Sequence, residues 1–297
     1  MDKDPCVLGP VSSLLLWRAV RCGLIELSRQ DEGQPDLACC HARIRDVRRL
    51  DLVRLLGDVP LDVVVGDRTR SHSGTLHTIV LAGEMPPGSF VRAGQELYAC
   101  APELCFALLG RGGQMLPLAR LGLELCGTYS LMPDQSGRFC TGPALTDKRR
   151  LSAFLDLMDH RHGLSVARRA LRLVADGSGS PRETSIYLAL TAPMRMGGYG
   201  LWSIPNQQYW EALARDGIDT VGIGPSEIMS AGRLEAKALR IARLLGKPAR
   251  VAKGLQRQRR RDLLELLFDE SLWRVEHKTL CQMASYRTSA TRGRRVA

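Results

Sequence analysis

Residues 180–228 constrain the fold of this 297-residue chain more than any other segment, because both ends of the segment carry strong signals for regular structure. At the first end, Ser180 suits a helix N-cap, Pro181 suits the first helical position, and Glu183 stands where a capping-box carboxylate belongs. We therefore predict that a helix begins after Ser180 and that the carboxylate of Glu183 serves its terminus.

The other end of this segment predicts a short helix, a turn and a strand. The helix is expected over Tyr209–Arg215 and the strand over Ile218–Ile223. Only Trp202–Gln208, about seven residues, precedes them, which is too short for two further strands and a turn. The strand therefore needs a partner, and we expect it from Leu201–Ile204, from an N-terminal strand or from a second chain.

Several motifs resemble an uncharacterised, mostly actinobacterial family whose C-terminal domain is similar to very-short-patch-repair and other restriction-endonuclease-like domains. The matching residues are Ser180-Pro181-Arg182-Glu183, Gly197-Gly198-Tyr199-Gly200-Leu201, Glu211–Ile223, and upstream Ala101–Leu104 and Leu123–Tyr129. In that family, strands that carry the acidic residues lie between the Gly-Tyr-Gly motif and the short helix. The resemblance therefore implies a nuclease-like domain that is truncated here. The N-terminal portion resembles abortive-infection antitoxin-like proteins.

Catalysis by such a domain needs several carboxylates, because Mg²⁺ takes several oxygen ligands when it polarises a phosphodiester and activates water. Comparable nucleases use an acidic residue on the first helix, so Glu183 is the one retained catalytic candidate. The remaining acids of the segment lie on a helix, in a turn or at a strand edge: Glu211, Asp216, Asp219 and Glu227. Glu235-Ala236-Lys237 lies within a predicted helix. We therefore expect no metal site and no cofactor.

The positive charge of the chain lies almost entirely near its C-terminus. Residues 233–297 hold 17 Lys and Arg against 6 Asp and Glu, which accounts for the formal net charge of +11. Such density attracts polyanions and neutralises phosphates. The candidate nucleic-acid-binding residues are Lys253, Arg257, Arg259, Arg260, Arg261, Arg292, Arg294 and Arg295. The same pattern also suits a solvated helix face followed by a frayed tail.

Two function classes follow from these observations. The first is a non-catalytic nucleic-acid-binding or regulatory protein of the antitoxin-like type, with a degenerate endonuclease-like domain. The alternative is a DNA endonuclease that uses Mg²⁺ and displaced carboxylates. A product with no remaining activity also fits the truncation. Nucleic acid, a protein partner or a second copy of the chain are the possible partners.

Cysteine usage and hydropathy indicate a cytoplasmic protein. The nine cysteines occur without a secretion signal, so we expect reduced thiols, and no apolar run is long enough to span a membrane. Cys39-Cys40-His41 could begin a zinc site, but no second ligand pair follows at a suitable spacing. We expect ordinary thiols there.

The predicted fold class is α+β or α/β, with a mixed N-terminal domain of short strands, a helical region and a reduced nuclease-like segment. The domains are expected at 1–130, 131–178, 179–250 and 251–297, the last being a basic helical tail. Predicted helices span Val11–Cys22, Asp46–Leu56, Pro102–Leu109, Leu116–Leu125, Leu164–Ala175, Arg233–Leu245 and Arg261–Arg274. A further helix is capped by Thr146, and Met132–Pro143 is predicted to be a loop. Predicted strands span Leu61–Val65, His77–Leu81, Phe90–Val91 and Glu96–Cys100.

Overall fold

A computed structural model describes residues 4–27, 32–41, 61–67, 76–94, 96–134, 136–158, 164–201, 223, 230–247, 251–269, 279–280 and 283–284. The fold is a mixed α and β structure, which confirms the predicted class. In chain order, the strands are β1 (Cys6–Leu8), β2 (Glu32–Gly33), β3 (Leu61–Val65), β4 (Leu76–Val80), β5 (Phe90–Arg92), β6 (Leu97–Cys100), β7 (Tyr129–Leu131) and β8 (Phe139–Thr141). The helices are α1 (Pro10–Arg21), α2 (Pro102–Leu109), α3 (Met115–Leu125), α4 (Lys148–Leu157), α5 (Leu164–Leu171), α6 (Pro181–Thr191), α7 (Ala231–Leu244) and α8 (Gly254–Phe268).

Six strands form one mixed sheet in the order β2-β5-β6-β1-β3-β4. β1 runs parallel to β6 and antiparallel to β3, so Val7 lies opposite both Tyr98 and Val64. β3 runs parallel to β4, whereas β5 runs antiparallel to its neighbours β2 and β6. All five residues of β3 are buried, as expected of a strand that is covered on both faces.

The start of α1 is fixed by a side chain from the neighbouring strand β3. The N-cap residue of α1 is Gly9, which has no side chain to offer. Instead the buried carboxylate of Asp62 accepts hydrogen bonds from the backbone N–H groups of Val11, at 3.1 Å, and Ser12, at 2.7 Å. Because Pro10 has no N–H group, these are two of the three free donors at the helix terminus, and the third, the N–H of Gly9, donates to the carbonyl oxygen of Asp62 at 2.8 Å. This contact sets the position of α1 on the sheet.

The other end of α1 is held by charge and by a covalent bond. Arg18 and Glu124 form a buried bidentate ion pair, with N···O distances of 2.8 and 2.5 Å. Arg21 donates to the carbonyl oxygens of residues 124, 127 and 142. A disulfide then joins Cys22 to Cys140 of β8, so the expectation of reduced thiols is wrong for these two residues. The last turn of α1 is therefore tied to α3 and to the β7–β8 hairpin.

One hydrophobic core runs through most of the described chain. It includes residues from Cys6 in β1 to Met283, and it takes in Leu188 of α6 together with Leu263 and Leu267 of α8. A smaller cluster joins the end of α6 to α7; its buried members are Leu190, Leu201, Ala238, Ile241 and Ala242. Residues from each of the four predicted segments enter the main cluster, whereas the smaller cluster lies within the predicted segment 179–250.

Several local predictions differ from the structure. The predicted loop 132–143 contains β8, which pairs antiparallel with β7 as a hairpin. Helix α4 is capped by Asp147, whose carboxylate accepts from the backbone N–H of Arg150, and not by Thr146. The Thr146 hydroxyl instead donates to Glu103. The predicted helices Asp46–Leu56 and Tyr209–Arg215 and the strand Ile218–Ile223, apart from its last residue, lie outside the described residues. Within the part that is described, no helix is long and apolar enough to cross a membrane.

Candidate nucleic-acid interface

The arginine-rich block belongs to a regular helix. Helix α8 begins at Gly254, with Lys253 as its N-cap residue, and so starts seven residues before the predicted Arg261. Four of the predicted phosphate-binding residues are exposed at its first half: Lys253, Arg257, Arg259 and Arg261. The other three predicted candidates, Arg292, Arg294 and Arg295, lie outside the described residues.

Helix α7 adds three cations that sequence reasoning did not select as site residues. Arg233, Arg240 and Arg243 are exposed, whereas Leu234 and Ile241 of the same helix are buried. The spacing of seven and three residues places the arginines on one stripe of the helix. This stripe was visible in the sequence as a basic face opposite an apolar face. The α7 arginines and the four exposed cations of α8 are together called the basic surface below, a set defined by their exposure on these two helices.

The basic surface carries little compensating negative charge. The described acids of α7 and α8 are Glu235, Asp262 and Glu265, and Asp262 accepts a hydrogen bond from Gln258. Arg261 donates to the side-chain oxygen of Gln258. Within the described part of the chain, Lys253, Arg257 and Arg259 form no ion pair. These side chains are therefore available to an external anion.

Arg260 differs from its neighbours because it points into the protein. Its side chain is only 6% exposed, and its Nη1 atom lies 2.7 Å from Oε1 of Glu235 on α7. Nε donates to the carbonyl oxygen of Gly197 at 3.2 Å, and Nη2 lies 3.5 Å from that of Gly198. The prediction that Arg260 is a surface phosphate ligand is therefore wrong in this structure, because its donors are already used inside the fold.

The Arg260 side chain packs against the Gly-Gly-Tyr-Gly motif at residues 197–200. The guanidinium carbon of Arg260 lies 3.8 Å from the centroid of the Tyr199 ring, as in a cation–π contact. Gly197 has a positive φ of 95°, and a Cβ there would come within 2.2 Å of the carbonyl oxygen of Arg259. Glycine is thus required where α8 passes the motif. Burial, partly offset by Arg260, raises the pKa of Tyr199 to about 12 and so keeps the phenol neutral.

Glu183 is used in the way its position predicts. The Ser180 hydroxyl accepts from the backbone N–H of Glu183 at 3.2 Å, and Oε2 of Glu183 accepts from the N–H of Gly179 at 2.8 Å. Burial raises the pKa of this carboxyl, and the hydrogen bond from Gly179 opposes the shift. The capping role predicted for Ser180 and Glu183 is confirmed.

The described donor groups do not fit a Mg²⁺ site around Glu183. No set of three or more His, Cys, Asp and Glu side chains suited to a metal occurs among the residues that the structure describes. The other acids considered, Glu211, Asp216, Asp219 and Glu227, lie outside those residues. Glu235 lies within α7, as predicted for its segment, and is paired with Arg260. In the Cys39-Cys40-His41 segment, considered above as a zinc site, the Cys39 thiol donates a hydrogen bond to the carboxylate of Asp36.

Comparison with protein-family models, with curated proteins and with solved structures found no match for this chain. The resemblance to a nuclease-like and antitoxin-like family therefore stays a prediction.

Proposed function

We propose that this chain is a non-catalytic nucleic-acid-binding protein that uses the basic surface of α7 and α8 to hold the phosphate backbone. The observation that supports the proposal most directly is the exposure of four cations on the first half of α8, three of which have no ion-pair partner among the described residues. On the resemblance of its sequence, we assign it a regulatory, antitoxin-like role.

The chemistry of these residues favours binding to the backbone over reading of the bases. Lys and Arg on a helix surface bind phosphates by charge and release counterions when they do so. Arg257 and Arg261 lie about one helical turn apart, so their guanidinium groups face the same side of α8. Such contacts position a protein on nucleic acid without selecting a sequence.

The test neutralises the exposed arginines and leaves the fold intact. Removal of residues 253–297 is unsuitable, because Leu263 and Leu267 of α8 pack in the main core. We therefore choose the triple variant Arg257→Gln, Arg259→Gln, Arg261→Gln and measure binding to duplex DNA and RNA by fluorescence anisotropy across a salt series. Each lost phosphate contact lowers the slope of log K against log salt by about 0.9, so the slope should become less steep by about 2 to 3.

The matched control removes the same charge elsewhere. Arg149, Arg169 and Arg172 are exposed outside α7 and α8, and their triple change to Gln should leave the slope within the error of wild type. Absence of salt-dependent binding by wild type, or an equal effect of both triple variants, would contradict the proposed function. Nicking of the same DNA in Mg²⁺ that is abolished by Glu183→Ala would instead support the endonuclease alternative.

A further inference from the structure

We infer that Arg260 is a positioning residue for nucleic-acid binding. Its contacts with the Tyr199 ring and with the carbonyl oxygens of Gly197 and Gly198, called its seat below, hold in place the half of α8 that carries the exposed cations. This inference rests on the proposed function and names the contact on which the basic surface depends. In this role the guanidinium acts inside the protein and does not touch the bound phosphates.

The two halves of α8 are attached to the protein in different ways. The second half is held by apolar packing, because Leu263 and Leu267 are buried in the main core, and the Ser185 hydroxyl donates to the carbonyl oxygen of Leu267 at 2.7 Å. In the first half, which carries the exposed cations, the buried side chain is that of Arg260. Polar contacts of one arginine therefore hold the part of the helix that faces the nucleic acid.

The seat of Arg260 also connects three separate segments of the chain. The carbonyl groups of Gly197 and Gly198 and the Tyr199 ring follow α6, whereas Glu235 belongs to α7. Glu235 also accepts a hydrogen bond from the backbone N–H of Ala252, just before α8. Because one guanidinium group joins α8 to both neighbours, its loss releases the first half of α8 from α7 and from the motif together.

A direct phosphate contact and a positioning role predict opposite effects of changing Glu235. If Arg260 itself bound phosphate, the Glu235→Gln variant would bind nucleic acid more tightly, because a competing carboxylate is removed. If Arg260 positions α8, the same change weakens its seat and lowers affinity. The sign of the change in affinity therefore separates the two roles.

The main experiment compares Arg260→Met, Tyr199→Leu and the double variant with wild type, with duplex DNA as the probe. Loss of a buried, charge-assisted contact should lower affinity by about tenfold or more in either single variant. The double variant should be no weaker than the weaker single variant, since both changes remove the same seat. Hydrogen exchange of the amides at 254–261 should become faster, while exchange at 263–268 stays slow.

Two conservative variants keep the test valid if Arg260→Met fails to fold. Arg260→Lys retains the charge but loses the planar fork and should bind less tightly than wild type. Tyr199→Phe retains the ring that stacks on Arg260 and removes only the hydroxyl, so it should bind more tightly than Tyr199→Leu.

Wild-type affinity and wild-type exchange at 254–261 in both Arg260→Lys and Tyr199→Leu would overturn the inference, as would tighter binding by Glu235→Gln. Failure of wild type to bind nucleic acid would instead overturn the proposed function. The exchange measurement needs no ligand, so it still reports whether Arg260 holds the first half of α8.

Discussion

Asp62 caps a helix that lies 50 residues earlier in the sequence. Its carboxylate accepts from the N–H groups of Val11 and Ser12, and its own N–H donates to the Ser12 hydroxyl at 2.8 Å. Glycine is needed at position 9, because a Cβ there would lie 2.4 Å from the carboxyl carbon of Asp62. The pair of Gly9 and Asp62 thus replaces the local Ser or Asp that normally caps a helix.

Asp62→Ala should destabilise the protein by about 2 to 3 kcal/mol, because it removes a cap and leaves buried N–H groups without acceptors. Chemical denaturation measures this loss, and Asp62→Asn should lie between wild type and the alanine variant. The control is Asp134→Ala, which breaks the exposed ion pair with Arg138 and should cost less than about 0.5 kcal/mol. Equal losses from Asp62→Ala and Asp134→Ala would contradict the capping role.

At the level of residues, local chemistry could be predicted from the sequence and distant chemistry could not. The sequence places Ser180 and Glu183 at a helix terminus, because the donors and acceptors of their capping hydrogen bonds all lie within residues 179–183. The sequence predicts the same role for Arg260 as for its exposed neighbours, because a run of charged residues does not show which side chain points into the protein. Its acceptors at 197 and 198 lie more than 60 residues away, and only the fold brings them to α8.

At the level of elements, the β7–β8 hairpin is attached to α1 by a disulfide that the sequence does not predict. Phe139 is exposed, and β8 has no fully buried residue. The hairpin is tied to α1 by the bond between Cys22 and Cys140, which closes a loop with a sequence separation of 118. The cysteine count alone does not give the pairing, which is set by the position of α1 against the hairpin.

Cys140→Ser should lower the free energy of unfolding by about 2 to 4 kcal/mol, because the unfolded chain gains the entropy that the disulfide removes. Thermal unfolding of the variant, and of wild type treated with a dithiol reductant, should show the same loss. Cys39→Ser changes a thiol outside the bond and should leave the transition close to that of wild type. A wild-type midpoint that is insensitive to the reductant would show that the bond contributes nothing.

Element prediction succeeded where a strand or helix carries its own pattern. β3 was predicted at its observed bounds, since a run of apolar, β-branched residues indicates a strand. Leu151 and Phe154 of α4 are three residues apart and both are buried, as apolar residues at helical spacing indicate. β1 was missed because three residues make no detectable alternation, and it becomes a strand only by pairing with β3 and β6.

For the whole molecule, the shared core determines how the chain unfolds. Residues of β1, α2, α6 and α8 belong to one cluster, so the main core crosses every predicted boundary. The predicted boundary after residue 178 falls within Asp176-Gly177-Ser178-Gly179, a composition typical of a linker, yet the backbone there is held, because the N–H of Thr128 donates to the carbonyl oxygen of Ser178 at 2.7 Å. A Gly-Ser composition alone does not show whether a segment crosses a domain boundary.

We therefore expect one cooperative unfolding transition, with coincident midpoints by calorimetry, by circular dichroism and by tryptophan fluorescence. A fragment of residues 1–178 should fail to fold cooperatively, because it lacks the α6 and α8 residues that complete the core. Two resolved transitions, together with a cooperatively folded 1–178 fragment, would show that the predicted domains are independent.

The same core affects synthesis of the protein on a ribosome. Cys6 emerges before the rest of its cluster, which is completed by Met283, so the two are separated by roughly 15 to 55 s at ordinary elongation rates. During this interval the wholly buried helix α2 has been made but cannot yet be covered. The nascent chain thus presents an apolar helix to the cell, and we expect it to depend on chaperones until α8 has left the ribosome.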